Sequence, residues 1–253
     1  MDLDKKKIVE RFKKKVKGKK PDTSRYHKNH DGSGGHWLQK QMGVKNDSKN
    51  APDLFGYEMK NHTGSKTTFG DWSPNRKLRI YSKGNKYGLD RSTFLKIFGA
   101  PNPLKKNRYS WSGKPVPKVG SYNAFGQKLS VDKDGNISAL YSYSKDQRAS
   151  KAKIVPKNLQ KNNLVLATWD VEMMRKRVEN KFNHRGWFKC ERDERGAYRN
   201  IVFGEPMTFE TWIKGVRNGL IIFDSGMYEG NKRPYANWRA DNGYWRNLII
   251  ERY

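Results

Sequence analysis

The sequence predicts an α/β protein in which helices flank a mixed β-sheet. Segments with the period-2 alternation or the short apolar runs of strands occur along most of the chain. Segments with apolar residues at three- and four-residue intervals, typical of amphipathic helices, lie between them. The chain has 253 residues, of which 34% are hydrophobic and 13% aromatic. It can therefore form one large domain or two lobes that share a core.

The first predicted element is a basic amphipathic helix within residues 1–20. Ile8, Val9, Phe12 and Val16 recur at helical intervals among many lysines, and Gly18 should end the helix. Two interpretations stay open. The helix can pack on the protein through its apolar face, with its charges in solvent, or it can lie as an arm along phosphates, where each lysine releases counterions.

The other elements follow in chain order. A glycine-bearing loop at 32–35 precedes a short helix over 36–42. Helices are also predicted over 89–98, 170–182 and 208–218, the second of these with Asp170 as its N-cap. Strands are predicted over 54–60, 67–69, 78–81, 164–169, 198–203 and 220–225, and a β-hairpin over 124–143 turns at Asp134-Gly135-Asn136. Residues 102–120 and the segment after 226 are predicted to be loops, and His27 and His30 lack the second Cys or His pair that a zinc site needs.

The charge balance points to a polyanionic partner. Lys and Arg total 53 against 25 Asp and Glu, which gives a net charge of +28. Nucleic acid is favoured over an anionic membrane, because no apolar run approaches the roughly 18 residues of a spanning helix. Cys190 is the only cysteine, so no intramolecular disulfide forms, and we expect a reducing compartment such as the cytoplasm.

Two carboxylates and an ammonium are predicted to converge near residues 53–60, which read DLFGYEMK. In a strand, the side chains of Glu58 and Lys60 project from the same face, and Asp53 enters from the preceding bend. This Asp–Glu–Lys trio suits a divalent metal ion acting on a phosphodiester. In a lysine-rich chain the pattern also arises by chance, and Asp224 with Glu229 and Lys232 has a similar spacing.

Basic residues mixed with aromatics mark two candidate nucleic-acid surfaces. Arg76 and Arg79 alternate with Trp72 and Tyr81, which fits a nucleic-acid surface or an ordinary solvated hairpin. The segment after 226 carries side chains that can read base edges through paired hydrogen bonds. The DNA-binding candidates there are Lys232, Arg233, Arg239, Asp241, Asn242 and Arg246.

The motif PDLFGYEMK resembles the signature of PD-(D/E)xK nucleases. Together with the upstream GSGGHWLQKQMGV, it resembles the MutH-like branch of that family, which includes the monomeric type II restriction enzymes MvaI and BcnI. The similarity continues through SPNR, YGLD, YSYSKDQ, TFETWIKGVRNGLIIFDSGMYEGNKR and RADNGYWRN. It covers most of the chain from about residue 30, and we place no match for the basic N-terminal segment.

The resemblance implies a restriction-endonuclease-like core in a monomeric, two-lobed clamp around double-stranded DNA. The organisation it implies is a basic arm over 1–28, a mainly catalytic lobe over 29–170 with the inserted hairpin 121–143, and a mainly DNA-recognition lobe over 171–253. Hydrolysis would depend on one or two Mg²⁺ ions at a short site such as CCWGG or CCSGG. A prokaryotic cytoplasmic location and a cognate DNA methyltransferase for the same site are also implied.

Carried over to this chain, the family's catalytic residues are Asp53, Glu58 and Lys60. The two carboxylates and the backbone carbonyl of Met59 would bind metal, and Lys60 would orient or deprotonate the attacking water. Relatives carry a glutamate in the helix where this chain has Gln39, and an amide binds Mg²⁺ more weakly than a carboxylate. Two alternatives stay open beside a restriction enzyme, namely a MutH-like repair nickase and a non-catalytic nucleic-acid-binding protein.

Overall fold

The computed structural model describes residues 2–24, 32–44 and 49–253 and divides the chain into two compact units. Unit 1 comprises Met1–Thr67, Arg177–Phe209 and Asp241–Tyr253, and unit 2 comprises Thr68–Lys176 and Glu210–Ala240. Both units are built from segments that are distant in sequence. His27 and His30 lie outside the described residues. No helix in the described part of the chain is long and apolar enough to cross a membrane.

A four-stranded mixed sheet forms the centre of unit 1. Its strands, in spatial order, are β1 (Glu58–Asn61), β8 (Trp187–Arg192), β9 (Tyr198–Gly204) and β13 (Ile249–Arg252). β1 runs parallel to β8, and the other pairs are antiparallel. The mixed α/β architecture predicted from the sequence is therefore confirmed.

Helix α1 (Leu3–Lys15) packs its apolar face into the core of unit 1. Asp2 caps it by accepting from the backbone N–H groups of Asp4 and Lys5. The apolar residues of the helix pattern share one buried cluster with residues of β1, β8 and β9; these helix residues are Ile8, Val9, Phe12 and Val16. The predicted amphipathic helix and its packed face are confirmed, and the contact with phosphates stays a prediction.

Helix α2 (Ser33–Met42) buries Leu38 and Met42 in the same cluster. The sequence predicts a helix starting at 36 after a glycine loop, and that start is wrong, because Gly34 and Gly35 already lie within the helix. The helix ends at Gly43, whose φ of 68° is the left-handed conformation in which glycine is favoured.

Three small sheets and a tryptophan-rich core form unit 2. The sheets are β10 (Ile221–Ser225), β12 (Ala236–Asp241) and β2 (Lys66–Asp71); β11 (Met227–Tyr228), β4 (Arg108–Trp111) and β3 (Ala100–Asn102); and β5 (Phe125–Val131), β6 (Ile137–Asp146) and β7 (Leu164–Trp169). Trp169 and Trp238 are fully buried, with ring centroids 5.4 Å apart in an edge-to-face arrangement. Large buried rings replace the aliphatic core that this polar sequence lacks.

Most of the predicted elements outside the ends of the chain are confirmed. The hairpin is β5–β6, and the run 164–169 is β7. The helices are α3 (Arg91–Phe98), α5 (Val171–Phe182) and α6 (Phe209–Arg217); a short helix, α4 (Lys151–Ile154), is not among the predicted elements. Asp170 accepts from the backbone N–H of Met173 at 2.8 Å, so it caps α5 as predicted.

Four further sequence expectations are wrong. Residues 76–78 form a 3-10 helix and 79–81 are not a strand. The predicted loop 102–120 contains β4, and the segment after 226 folds into β11, β12, α7 (Asn242–Asn247) and β13. The strand predicted over 54–60 begins only at Glu58. No sequence pattern predicts β8, although it is the parallel partner of β1.

Candidate active site

A tight turn places Asp53 beside β1. Phe55 and Gly56 have positive φ angles of 51° and 83°, and the backbone N–H groups of Asp53 and Leu54 both donate to the carbonyl of Tyr57, at 3.0 Å. The chain thereby doubles back over residues 54–57. Asp53 Oδ2 accepts from the backbone N–H of Met59 at 2.9 Å, which fixes its carboxylate next to the strand.

Glu58 and Lys60 project from the same face of β1, as the strand alternation predicts. Lys60 Nζ donates to Glu58 Oε1 at 2.8 Å, and both side chains are buried. A second ammonium, Lys181 from α5, lies 3.2 Å from the same Glu58 oxygen. Lys60 Nζ also lies 5.0 Å from the centroid of the Phe182 ring, so α5 covers this face of β1.

Burial and charge shift the acidities within the trio. Burial, with a further contribution from the charge of Glu58, raises the pKa of Asp53 from 3.8 to about 6, against the opposing hydrogen bond from Met59. Burial lowers the pKa of Lys60, while the neighbouring Glu58 opposes that change. Two carboxylates whose charges interact in this way favour a bound cation or a shared proton.

The donor set fits a divalent metal ion. Glu58 Oε2 is buried and has no hydrogen-bond partner in the described structure, so one carboxylate oxygen beside Asp53 is desolvated and unsatisfied. The backbone N–H of Glu58 donates to the carbonyl of Gly186, on the β8 side. Main-chain groups of Met59 therefore point to the opposite, open edge, where Asp53 lies. Oxygen ligands of this kind are those that Mg²⁺ prefers.

The protein supplies two carboxylates to this site. Among the described residues there is no group of three or more His, Cys, Asp or Glu side chains that could hold a metal. Gln39 is half-buried in the middle of α2, and its backbone carbonyl accepts from Val44. Its part in metal binding stays a prediction.

Sequence reasoning missed two lysines near β1. Lys181 contacts Glu58 directly. Lys189 lies on β8 opposite Lys60 in the parallel register, and its Nζ donates to Asn242 Oδ1 at 3.0 Å and Thr67 Oγ1 at 3.2 Å. Neither position carries a motif. Only the pairing of β1 with a strand about 130 residues further on brings Lys189 to this face.

Some of the DNA-binding candidates already have protein partners. Arg239 donates to Asp224 at 2.7 Å and to Thr68 at 3.0 Å. Asp241 caps α7 through the N–H of Tyr244. The amide of Asn242 is engaged with Lys189 and its threonine neighbours.

Other candidates lie at the surface. Arg76, Lys232, Arg233 and Arg246 are exposed, and Arg79 is half-buried against Tyr81. Trp72, Trp238 and Trp245, which alternate with these basic residues in the sequence, are at most 3% exposed. The three indoles therefore belong to the core and are not stacking platforms for bases, while base reading by the basic residues stays a prediction.

Comparison with known proteins gives a consistent family. Residues 16–253 match the model of the LlaMI restriction endonuclease family. The chain is 43% identical over 268 aligned residues to the type II restriction enzyme ScrFI of Lactococcus lactis subsp. cremoris, with 99% of each chain covered. The restriction endonuclease MvaI, solved with its cognate DNA substrate, superposes with a TM-score of 0.63 at 14% identity and covers 100% of this chain and 98% of its own.

Proposed function

Since this chain belongs to the LlaMI restriction endonuclease family and is a type II restriction enzyme homologue, a site-specific deoxyribonuclease, we propose that the Asp53–Glu58–Lys60 trio is its catalytic centre. The observation that carries the proposal is a buried Glu58 oxygen that has no hydrogen-bond partner among the described residues, together with the carboxyl group of Asp53, whose pKa is raised to about 6 partly by the charge of Glu58. A divalent cation would satisfy both groups at once.

Type II restriction endonucleases generally use Mg²⁺, and Asp53, Glu58 and the carbonyl of Met59 would hold it here. Gln39 is the candidate for an additional ligand, and its neutral amide favours one ion over two. When bound, the metal supplies Lewis-acid stabilisation of the charge on the reacting phosphate. The backbone N–H of Met59 keeps Asp53 oriented toward that position.

Lys60 provides the ammonium of the site. Its Nζ is held by Glu58 and covered by Phe182, so its position is fixed before substrate arrives. From there it can donate a hydrogen bond to the attacking water and to the pentavalent phosphate. Because burial lowers its pKa, the same group can take part in moving a proton.

The proposed substrate is double-stranded DNA with a short, near-palindromic site of the CCWGG or CCSGG type. The net charge of +28 suits a phosphate backbone. Lys232, Arg233, Arg239, Asp241, Asn242, Arg246, Arg76 and Arg79 are the proposed DNA contacts. We further propose a monomer in a prokaryotic cytoplasm, alongside a methyltransferase that protects the same site in host DNA.

Plasmid cleavage tests this function directly. Wild-type protein with Mg²⁺ should linearise or fragment supercoiled DNA at one repeated sequence, read by sequencing the ends. Asp53→Ala and Lys60→Ala should lose cleavage while retaining DNA binding in EDTA, whereas the exposed-lysine control Lys40→Ala should cleave normally. Undiminished cleavage by both active-site variants would refute the assigned site.

The form of the product separates the alternatives. Nicked circles that require an added repair factor would favour the MutH-like nickase. Tight DNA binding without cleavage in the presence of any divalent metal ion would favour the hypothesis of a non-catalytic nucleic-acid-binding protein.

A further inference from the structure

Lys189 is a buried cation that the proposed trio does not use. The residue is 6% exposed, and burial lowers the pKa of its ammonium. Its two hydrogen-bond partners, Thr67 Oγ1 and Asn242 Oδ1, are neutral oxygens. Within the described residues no carboxylate forms a salt bridge with it. An ammonium buried with neutral partners is costly to the fold unless an anion joins it.

Nearby charges offset this cost only in part. Glu191 attracts it from a distance, but Arg246 repels it. Lys189 in turn, after burial, is the largest cause of the lowered pKa of His62. Besides Glu191, the groups whose charge interacts with Lys189 are therefore basic, namely Arg246 and His62.

The polar side chains around Lys189 lead from the core to the surface. Thr67 is 2% exposed, while Thr63 and Asn242 are half-buried. Asn242 Oδ1 accepts from Lys189 and from Thr67 at 3.0 Å each, and its Nδ2 donates to the carbonyl of Thr63 at 2.8 Å. Within the described residues, two of the three N–H groups of the ammonium are thus used, and one donor is left for a ligand.

The strand register relates Lys189 to the catalytic centre. Lys60 and Lys189 are paired residues of the parallel β1–β8 ladder, so their side chains leave the same face of the sheet from strands about 4.8 Å apart. Lys60 turns toward Glu58, whereas Lys189 turns toward Thr67 and Asn242. The two ammonium groups are therefore neighbours that form hydrogen bonds with different side chains.

We propose that Lys189 is a positioning residue that binds a DNA backbone phosphate next to the scissile one, with Thr67 and Asn242 holding its ammonium in place. This inference rests on the proposed DNA cleavage. The phosphate supplies the missing negative charge and accepts the third N–H. A lysine suits this role, because it contacts phosphate as a point charge.

Single methylphosphonate substitutions in cognate DNA test this proposal. Each removes the charge of one phosphate, and DNA binding is measured in EDTA. For wild type, one position beside the cleaved bond should weaken binding about tenfold or more. For Lys189→Met, binding to unmodified DNA should be weaker by a similar factor, and the same methylphosphonate should then have little further effect. The matched control Lys214→Met, an exposed lysine, should keep the wild-type pattern.

Two further readouts separate this role from a structural one. The slope of log K against log salt should become shallower by about 0.9 in Lys189→Met. Without DNA, its melting temperature should equal or exceed that of wild type, because a poorly compensated buried charge is gone. If Lys189→Met does not fold, Lys189→Gln provides the same comparison.

An unchanged methylphosphonate pattern in a folded Lys189 variant would overturn the inference. Failure of the proposed function looks different, since wild type itself would then not cleave unmodified DNA with Mg²⁺.

Discussion

Asp53→Asn should stabilise the metal-free protein at neutral pH. In the folded protein, burial and the charge of Glu58 raise the pKa of Asp53 to about 6. Because the folded pKa lies above the unfolded value of 3.8, the group favours folding below about pH 4. That contribution is lost as the pH rises through about 6. Above this window the carboxylate is ionised in both states, and its buried charge lowers the free energy of unfolding by the full amount.

The magnitude follows from the two pKa values. At 1.36 kcal/mol per pH unit, the difference between 3.8 and about 6 corresponds to about 3 kcal/mol. Asp53 is half-buried, so solvent screening reduces this to about 1–3 kcal/mol. Asparagine has nearly the same shape and keeps an oxygen that can accept from Met59, so the substitution removes mainly the charge.

Urea unfolding at pH 8 and at pH 4.5, in EDTA, measures this effect. Asp53→Asn should exceed wild type by about 1–3 kcal/mol at pH 8. This difference should shrink to about a third at pH 4.5, because that pH lies between the unfolded and folded pKa values of Asp53. Added Mg²⁺ should stabilise wild type at pH 8 and have little effect on the variant. A variant that is equally or less stable than wild type at both pH values would show that Asp53 carries no such buried charge.

Three other substitutions test the rest of the structure. Lys181→Met removes one of the two ammonium groups that contact Glu58. Calorimetry without DNA should therefore show about 3- to 10-fold tighter Mn²⁺ binding. The exposed control Lys176→Met, on the same helix, should bind Mn²⁺ as wild type does. Phe12→Ala should cost about 3–5 kcal/mol in urea unfolding, because this side chain is 1% exposed, whereas the exposed Lys13→Ala should change stability by less than about 0.5 kcal/mol. If Arg239 reads a base, Arg239→Ala should lower the cleavage preference for cognate over single-mismatch sites by about 1–3 kcal/mol; an unchanged preference would assign it a structural role with Asp224.

The part of the site that sequence predicts well is local. Glu58 and Lys60 are two residues apart in a strand, so alternation alone puts them on one face, and the structure joins them at 2.8 Å. The strand start was wrong for an equally local reason. Phe55 and Gly56 continue an apolar run in the sequence, yet both adopt positive φ. A non-glycine residue in that conformation is uncommon and leaves no pattern in the sequence.

The part that sequence does not predict depends on distant pairing. β8 reads WFKCER, in which charged residues interrupt the apolar alternation, so no strand pattern stands out. Its parallel partner β1 lies about 130 residues earlier, and parallel strands need long crossover connections. Lys189 could be placed opposite Lys60 only once that register was known.

The sequence also leaves undetermined whether an aromatic side chain points into the core or toward the surface. Trp72, Trp238 and Trp245 alternate with basic residues, a pattern that equally suits bases stacked at a surface and a core flanked by charges. All three are buried, because a chain with only 34% hydrophobic residues needs large rings to fill its interior. Of the basic candidates near them, Arg76, Lys232, Arg233 and Arg246 lie at the surface.

The charges around β1 make the site incomplete without a ligand. Asp53 and Glu58 repel each other, and among the described residues one buried oxygen of Glu58 has no partner. Lys189 is an ammonium whose partners there are neutral. Lys60 and Lys181 compensate the carboxylates only in part, since both contact the same oxygen of Glu58. A divalent cation would neutralise the two carboxylates, and a phosphate would pair with the ammonium of Lys189. A metal and a DNA backbone that arrive together would therefore each raise the affinity for the other, and titrations should show Mn²⁺ binding more tightly in the presence of DNA.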